Sequence, residues 1–179
     1  MPDSRSRSRF IAHTALFLAL GVLLPIGFHY VSPAGLPLGR VLLPMHLPVL
    51  LAGFISGPAS GIVVGLLAPG LSHLLTGMPP TYAVAPMTLE LAMYGLVAGI
   101  TYQRLHLNIY LSLIIAMVLG RILFGLGLFV LGLLIHLDYT AAAYFSGGSA
   151  LISGLPGIVM QLVLIPVIVA AINRKRGGR

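Results

Sequence analysis

The sequence has no cysteine and no tryptophan, and only three of its 179 residues are acidic. Without cysteine, a disulfide framework and thiolate metal sites are excluded. Motifs for nucleotide binding or hydrolysis are absent too, because the chain has no G-x-x-x-x-G-K-[ST], no H-E-x-x-H and no G-x-S-x-G. We therefore expect a protein that is not an enzyme and that carries no cofactor or metal of its own.

Long apolar runs dominate what is present. Hydrophobic residues make up 58% of the chain, charged residues 7%, and the mean hydropathy is +1.05. This is more apolar than a soluble core of this length requires, so we predict an integral membrane protein surrounded by lipid. The net charge of +7 comes mostly from the two ends, "SRSRSR" and "NRKRGGR". Basic residues at these positions flank spans, so nucleic acid is not expected as a partner.

Six runs are candidates for crossing a bilayer, and together they predict an all-α protein with a single transmembrane domain, residues 1–179. The second run is the weakest, because Pro44 and Pro48 interrupt it. The first is long and lacks a small-residue cleavage pattern, so we interpret it as a retained span instead of a signal peptide. The runs are approximately 10–28, 36–55, 58–75, 83–103, 109–135 and 149–172.

The positions of Lys and Arg predict the orientation of the chain. Basic residues precede the first run, follow the sixth, and lie between the fourth and fifth as Arg104. With six crossings these positions fall on one side, so both termini are predicted to be cytoplasmic, with Arg40 as the one clear exception.

Glu90 and Arg121 are the only acid and the only base deep inside these runs. In antiparallel spans four and five, Glu90 lies about 9 Å below the outer end and Arg121 about 18 Å above the inner end. These depths nearly coincide, so the two charges are expected to meet or to face one cavity. A purely structural ion pair and a ligand-facing role both remain open.

The segment "LLPMHLPVLLAG" is a second candidate site, because prolines free backbone carbonyls that a membrane tolerates only against protein or water. Met45 and His46 lie between its two prolines. His46 is expected either to bind a ligand or to satisfy a freed carbonyl, and Met45 to form an apolar wall.

On span four, Met87, Glu90 and Tyr94 recur at i, i+3 and i+7 and share one helical face. Apolar bulk, a charge and a hydroxyl together suit a small organic solute. The same spacing also describes an ordinary packing stripe.

The six histidines are dispersed, with no pair at i, i+3 or i+4, so a dedicated metal site is not predicted. His29, His73 and His136 fall near the expected outer mouth, which leaves a haem-like or metal-chelate ligand open.

Small residues predict close helix contacts in two places. Ala12, Ala15 and Ala19 form a stripe on span one, and Gly61 and Gly65 form a small-xxx-small pair on span three.

With these features together, the chain resembles the substrate-binding S component of an energy-coupling factor (ECF) transporter. The resemblance covers nearly the whole chain and is carried by the Ala15-x-x-x-Ala19 motif, "LLPMHLPVLLAGFISGPASGIVVGLLAP", "LLTGMPP" and "ELAMYGLVAG". It implies a six-span bundle in the plasma membrane of a prokaryote that captures a water-soluble vitamin or related micronutrient at its outer face. It further implies docking through the alanine stripe to a transmembrane coupling subunit, which two ATPase subunits drive.

Carried over by position, Glu90 and Tyr94 fall where substrate contacts lie, with Arg121 as partner or second contact. Residues near the outer connections join this expected site, namely His73, Met78, Tyr82 and Tyr139. Nickel and cobalt members begin with a Met-His pair, whereas this chain begins Met1-Pro2, so metal uptake is disfavoured.

Two other functions remain open at this point. One is a stand-alone channel or secondary carrier in which Glu90 and Arg121 gate or relay charge. The other is a membrane enzyme or assembly factor without a recognised motif.

Overall fold

The computed structural model describes residues 4–31, 42–135 and 149–177. Every regular element in these ranges is a helix, so the predicted all-α membrane fold is confirmed. A π-helical turn, Ile100–Arg104, extends the fourth helix. The helices are α1 (Ser4–Val31), α2 (His46–Ser56), α3 (Pro58–Thr76), α4 (Thr81–Gly99), α5 (Ile109–Ile135) and α6 (Ser149–Gly177).

Five of these helices are long and apolar enough to cross a membrane, and α2 is the exception. It has 11 residues, about 16 Å at the usual helical rise, against about 30 Å of hydrocarbon. The predicted second span, 36–55, is therefore interrupted within the described residues: residue 42 is helical, residues 43–45 are not, and α2 begins at His46. The reason is local. Leu43 has a φ of 49°, which ends any helix before it, and Pro48 sits in the first turn of α2, where a missing N–H costs little.

Although α2 is short, it lies at the centre of the bundle. It packs against α1, α3, α4 and α6. Eight of its residues are buried, and Val49, Leu50 and Ala52 are completely inaccessible. A helix that is apolar all round is stable only in such surroundings.

Helices α3 and α4 approach each other closely through glycine. A Cβ on Gly61 would lie 2.5 Å from the carbonyl oxygen of Gly95, and one on Gly65 would lie 2.5 Å from the backbone of Leu91. Neither contact leaves room for a side chain. The close approach predicted from Gly61 and Gly65 is confirmed, and α4 is the helix they contact.

One face of helix α1 packs against this core. The hydroxyls of Thr14 on α1 and Ser60 on α3 are hydrogen-bonded at 2.8 Å, and both residues are buried. Phe17 of α1 joins the same core. Such a polar contact between helices fixes their register in a membrane, where other donors are scarce.

Candidate substrate-binding site

Glu90 lies at the meeting point of three helices. It is 1% exposed, and the hydroxyl of Tyr94, one turn further along α4, donates a hydrogen bond to its Oε1 at 3.0 Å. From α5, Nη1 of Arg121 lies 3.2 Å from the same oxygen. From α2, Nε2 of His46 lies 3.7 Å away, just beyond hydrogen-bond distance. The structure thus brings together four predicted site residues from three helices.

The charges of Glu90 and Arg121 compensate each other inside the bundle. Among the described residues Glu90 is the only acid, and Arg121 is the only Lys or Arg within a span away from the helix ends. Because each reduces the desolvation cost of the other, the pair can exist in an apolar bundle. The guanidinium side is the more accessible one, with 19% of the Arg121 side chain exposed.

His46 owes its position to the turn that precedes α2. Its backbone N–H donates to the carbonyl of Leu43 at 3.1 Å, with Pro44 inside the turn. The ring is 2% exposed and lies 5.3 Å from the Tyr94 ring, measured between centroids. Neither ring nitrogen forms a hydrogen bond with any described residue. The alternative in which His46 satisfies a freed carbonyl is therefore not what the structure shows.

The side chain of His46 is presented from the start of a helix. His46 is the first residue of α2, so it lies at the positive end of that helix dipole. Interrupted helices often present their N-termini to polar groups in this way at membrane binding sites.

The arrangement consists of a buried carboxylate, a guanidinium, a phenol and an imidazole among apolar side chains. It lacks a nucleophile partnered with a base, which a hydrolytic site would require. Its mixture of a few placed polar groups in apolar surroundings is typical of a site that binds a small molecule.

The comparison with protein families decides the broader identity. The family model described as ECF transporter, substrate-specific component matches residues 9–169. The chain belongs to this family. Comparisons with curated proteins and with solved structures found no match. The protein is thus a substrate-binding membrane subunit of an ECF transporter, of the kind that works with transmembrane coupling and ATPase subunits. The resemblance stated from the sequence is confirmed.

Within this S component, a glycine that sequence reasoning missed shapes the site. Gly120 of α5 lies against the ring of Tyr94, and a Cβ at this position would overlap that ring. The absence of a side chain thus allows the phenol to reach Glu90. Gly120 directly precedes Arg121, and this adjacency in "LGRILFG" is the one sequence signal that could have indicated it.

Gly154 plays a similar part on α6. A Cβ there would lie 3.4 Å from Leu43 and 3.7 Å from Nη2 of Arg121, so α6 passes close to the guanidinium. Sequence reasoning missed this residue too, since nothing in "SGLPG" indicates which helix lies opposite.

We expect Gly120→Ala to lower the free energy of unfolding by about 1–3 kcal/mol, because the added methyl displaces the Tyr94 ring and breaks its bond to Glu90. Gly132→Ala on the same helix is the matched control, since a Cβ at Gly132 would have no neighbouring atom within 4 Å. Thermal unfolding of both variants in detergent tests this, and equal midpoints would contradict the assigned role of Gly120.

The other predicted substrate contacts occupy several different environments. Met45 is buried in the hydrophobic core, and Met87 packs against that core from the Glu90 face of α4. His73 and Tyr82 are partly buried at the connection between α3 and α4, where Nδ1 of His73 donates to the carbonyl of Pro79 at 2.7 Å. Tyr82 is eight residues, about 12 Å, from Glu90 along α4.

Met78 is 54% exposed in the same connection. Tyr139 lies outside the described residues, as does His136. In the described ranges, no group of three or more His, Asp or Glu side chains is positioned to hold a metal ion. The substrate roles of Met78 and Tyr139 stay predictions, as do those of the other residues proposed from the sequence, Met45, Met87, His73 and Tyr82.

The predicted docking stripe is on the surface of the bundle. Ala12, Ala15 and Ala19 are all exposed, while Thr14 and Phe17 of the same helix are buried. In the described part of the chain, nothing covers the stripe. This geometry permits contact with another helix, and its use for docking stays a prediction.

Proposed function

We propose that this S component captures a water-soluble vitamin or related micronutrient at the outer face of a prokaryotic plasma membrane. Glu90, Arg121, Tyr94 and His46 are the substrate-binding residues. The observation that supports the proposal is the convergence of Tyr94, Arg121 and His46, from three helices, on one buried carboxylate oxygen of Glu90. Concentrating polar groups in this way is costly in a membrane and is usually associated with a transported solute.

The energy for import comes from the partners. The chain has no phosphate-binding loop, so ATP is used by the ATPase subunits and not here. In this proposal the coupling subunit docks on the exposed stripe Ala12, Ala15 and Ala19, where small side chains let two helices approach closely.

Native mass spectrometry of the purified protein tests substrate capture, and we expect a small molecule to be retained from the cell. Uptake into proteoliposomes distinguishes the importer from a stand-alone carrier or channel. We expect uptake only when coupling and ATPase subunits are co-reconstituted and ATP is present. Transport by this chain alone would refute the proposal in favour of the carrier.

For docking, we expect Ala15→Trp to abolish co-purification with the coupling subunit while leaving substrate binding intact, because an indole on the stripe prevents close helix contact. Val130→Trp is the matched control, since Val130 is an exposed residue on α5, away from the stripe. If both variants form the complex equally well, the docking surface lies elsewhere on the protein.

A further inference from the structure

Helix α1 extends further towards the predicted inner side than α3, the helix beside it. Thr14 of α1 is hydrogen-bonded to Ser60 of α3. Further out, a Cβ on Gly21 would lie 3.3 Å from the Cβ of Ala68, so the two helices run in the same direction. Inward of the Thr14–Ser60 contact, α3 continues for two more residues and α1 for ten. At the usual helical rise, α1 therefore extends about 12 Å past the start of α3.

This projecting part of α1 carries a groove on the face that packs into the core further along the helix. Arg7 and Phe10 share one helical face with Thr14 and Phe17, at i, i+3, i+7 and i+10. Thr14 and Phe17 are buried, whereas Phe10 is 38% exposed and Ile11 is 65% exposed. The groove, which we call the α1 groove, has a volume of about 320 Å³ and is lined by Ser6, Arg7, Phe10 and Ile11. Among the described residues, its lining thus comes from α1 alone.

The guanidinium groups at this end of α1 have no acidic partner in the described ranges. Arg7 and Arg9 are exposed, and the one acid in those ranges is Glu90, which pairs with Arg121 in the interior. An uncompensated guanidinium attracts anions, and its planar fork of donors matches a phosphate group. The α1 groove is therefore complementary to a phosphate that carries an apolar substituent.

The depth of the α1 groove favours a phospholipid as the source of this phosphate. The apolar run from Phe10 to Phe28 is about 28 Å long as a helix, close to the roughly 30 Å of hydrocarbon in a bilayer. Phe10 and Ile11 thus lie at the hydrocarbon boundary. Arg7 lies about 4.5 Å further out, within a headgroup layer about 5–7 Å thick. An acidic protein segment fits less well, because its backbone would lack hydrogen-bond partners at the apolar end of the groove.

We propose that the inner end of α1 binds an anionic phospholipid of the inner leaflet. The phosphate accepts hydrogen bonds from Arg7, and an acyl chain lies against Phe10 and Ile11. Arg9 does not line the groove and contributes only long-range attraction to negatively charged lipid. A zwitterionic lipid has the same phosphate, but its own cation cancels that attraction, so the site selects by net charge. This lipid site is separate from the proposed substrate site and does not depend on it.

Lipid titrations of the purified full-length protein test the proposal. Phosphatidylglycerol and phosphatidylcholine with identical acyl chains are added in detergent, and native mass spectrometry measures the lipid-bound fraction at two concentrations of ammonium acetate. We expect phosphatidylglycerol to bind at least about fivefold more tightly than phosphatidylcholine, and this preference to decrease at the higher salt concentration. Equal binding of the two lipids would overturn the proposal.

Variants of the α1 groove separate a defined site from general attraction to a basic protein. Arg7→Gln should weaken phosphatidylglycerol binding about fivefold and leave phosphatidylcholine binding unchanged. Phe10→Ser should weaken the binding of both lipids, because it removes part of the surface for the acyl chain. Arg104→Gln is the matched control, since Arg104 is an exposed arginine on the predicted inner side that does not line the groove.

Two results with these variants would refute the lipid site. Equal losses in Arg7→Gln and Arg104→Gln would show that net charge alone attracts the lipid. Unchanged lipid binding in Arg7→Gln, together with lost co-purification of the coupling subunit, would assign the groove to a protein contact instead.

Discussion

Arg121→Met should lower the free energy of unfolding by about 3–5 kcal/mol, the cost typical of leaving one partner of a buried ion pair uncompensated. Glu90 is 1% exposed, so water compensates its charge less well than the guanidinium does. The Tyr94 hydroxyl at 3.0 Å remains, but a neutral donor compensates only part of a full charge. Equilibrium unfolding of the purified protein in mixed micelles measures the loss.

Two controls make this expectation specific. Arg104→Met removes an exposed arginine outside the cluster and should change stability by less than about 0.5 kcal/mol. Glu90→Gln/Arg121→Met removes both charges and should recover most of the stability that either single change loses. If the two single losses simply add in the double variant, the ion pair does not contribute in the way its geometry indicates.

The comparison of the two single variants with the double variant also addresses why the ion pair is present. Replacing a buried ion pair by apolar residues of similar volume is often neutral or stabilising, so stability alone is a weak reason to keep one. A double variant that is stable but no longer binds substrate would separate these effects. That result would favour the ligand-facing alternative over the purely structural one.

The arrangement of long helices was predictable from the sequence, whereas the length of α2 was not. Hydropathy identifies α1 and α3 to α6 because lipid exposure demands uninterrupted apolar runs. The run around Pro44 has similar composition, but it becomes an 11-residue helix enclosed by four others. Composition cannot distinguish burial by lipid from burial by protein, since both select apolar residues.

Contacts within the site were predictable where they follow from the rise and the periodicity of a helix. Equal depths indicated that Glu90 and Arg121 could meet, and helical spacing placed Tyr94 on the face of Glu90. Gly120 was not identified as a site residue, because the role of a glycine depends on what lies opposite it. Nor could sequence show that the three contacts would converge on one oxygen, which depends on side-chain rotamers.

Gly61→Ala should be among the most damaging conservative changes in the protein, with a loss of about 3 kcal/mol, the upper end for overpacking. The new methyl would lie 2.5 Å from the carbonyl oxygen of Gly95, which is backbone and cannot rotate away. Gly95 is also contacted from α2, since a Cβ on Gly53 would lie 2.5 Å from the same oxygen. Three helices therefore meet at one peptide group, and α3 cannot move without disturbing the other two.

Gly70→Ala on the same helix is the matched control. A Cβ there meets nothing within 4 Å, so the change should be neutral or stabilise by up to about 1 kcal/mol through helix propensity. Both variants make the same chemical change in α3, so the difference between their unfolding free energies isolates the contact with Gly95. Equal stabilities would show that the helices can separate freely at this point. Because Glu90 precedes Gly95 by little more than one turn of α4, Gly61→Ala should also weaken substrate binding, and Gly70→Ala should not.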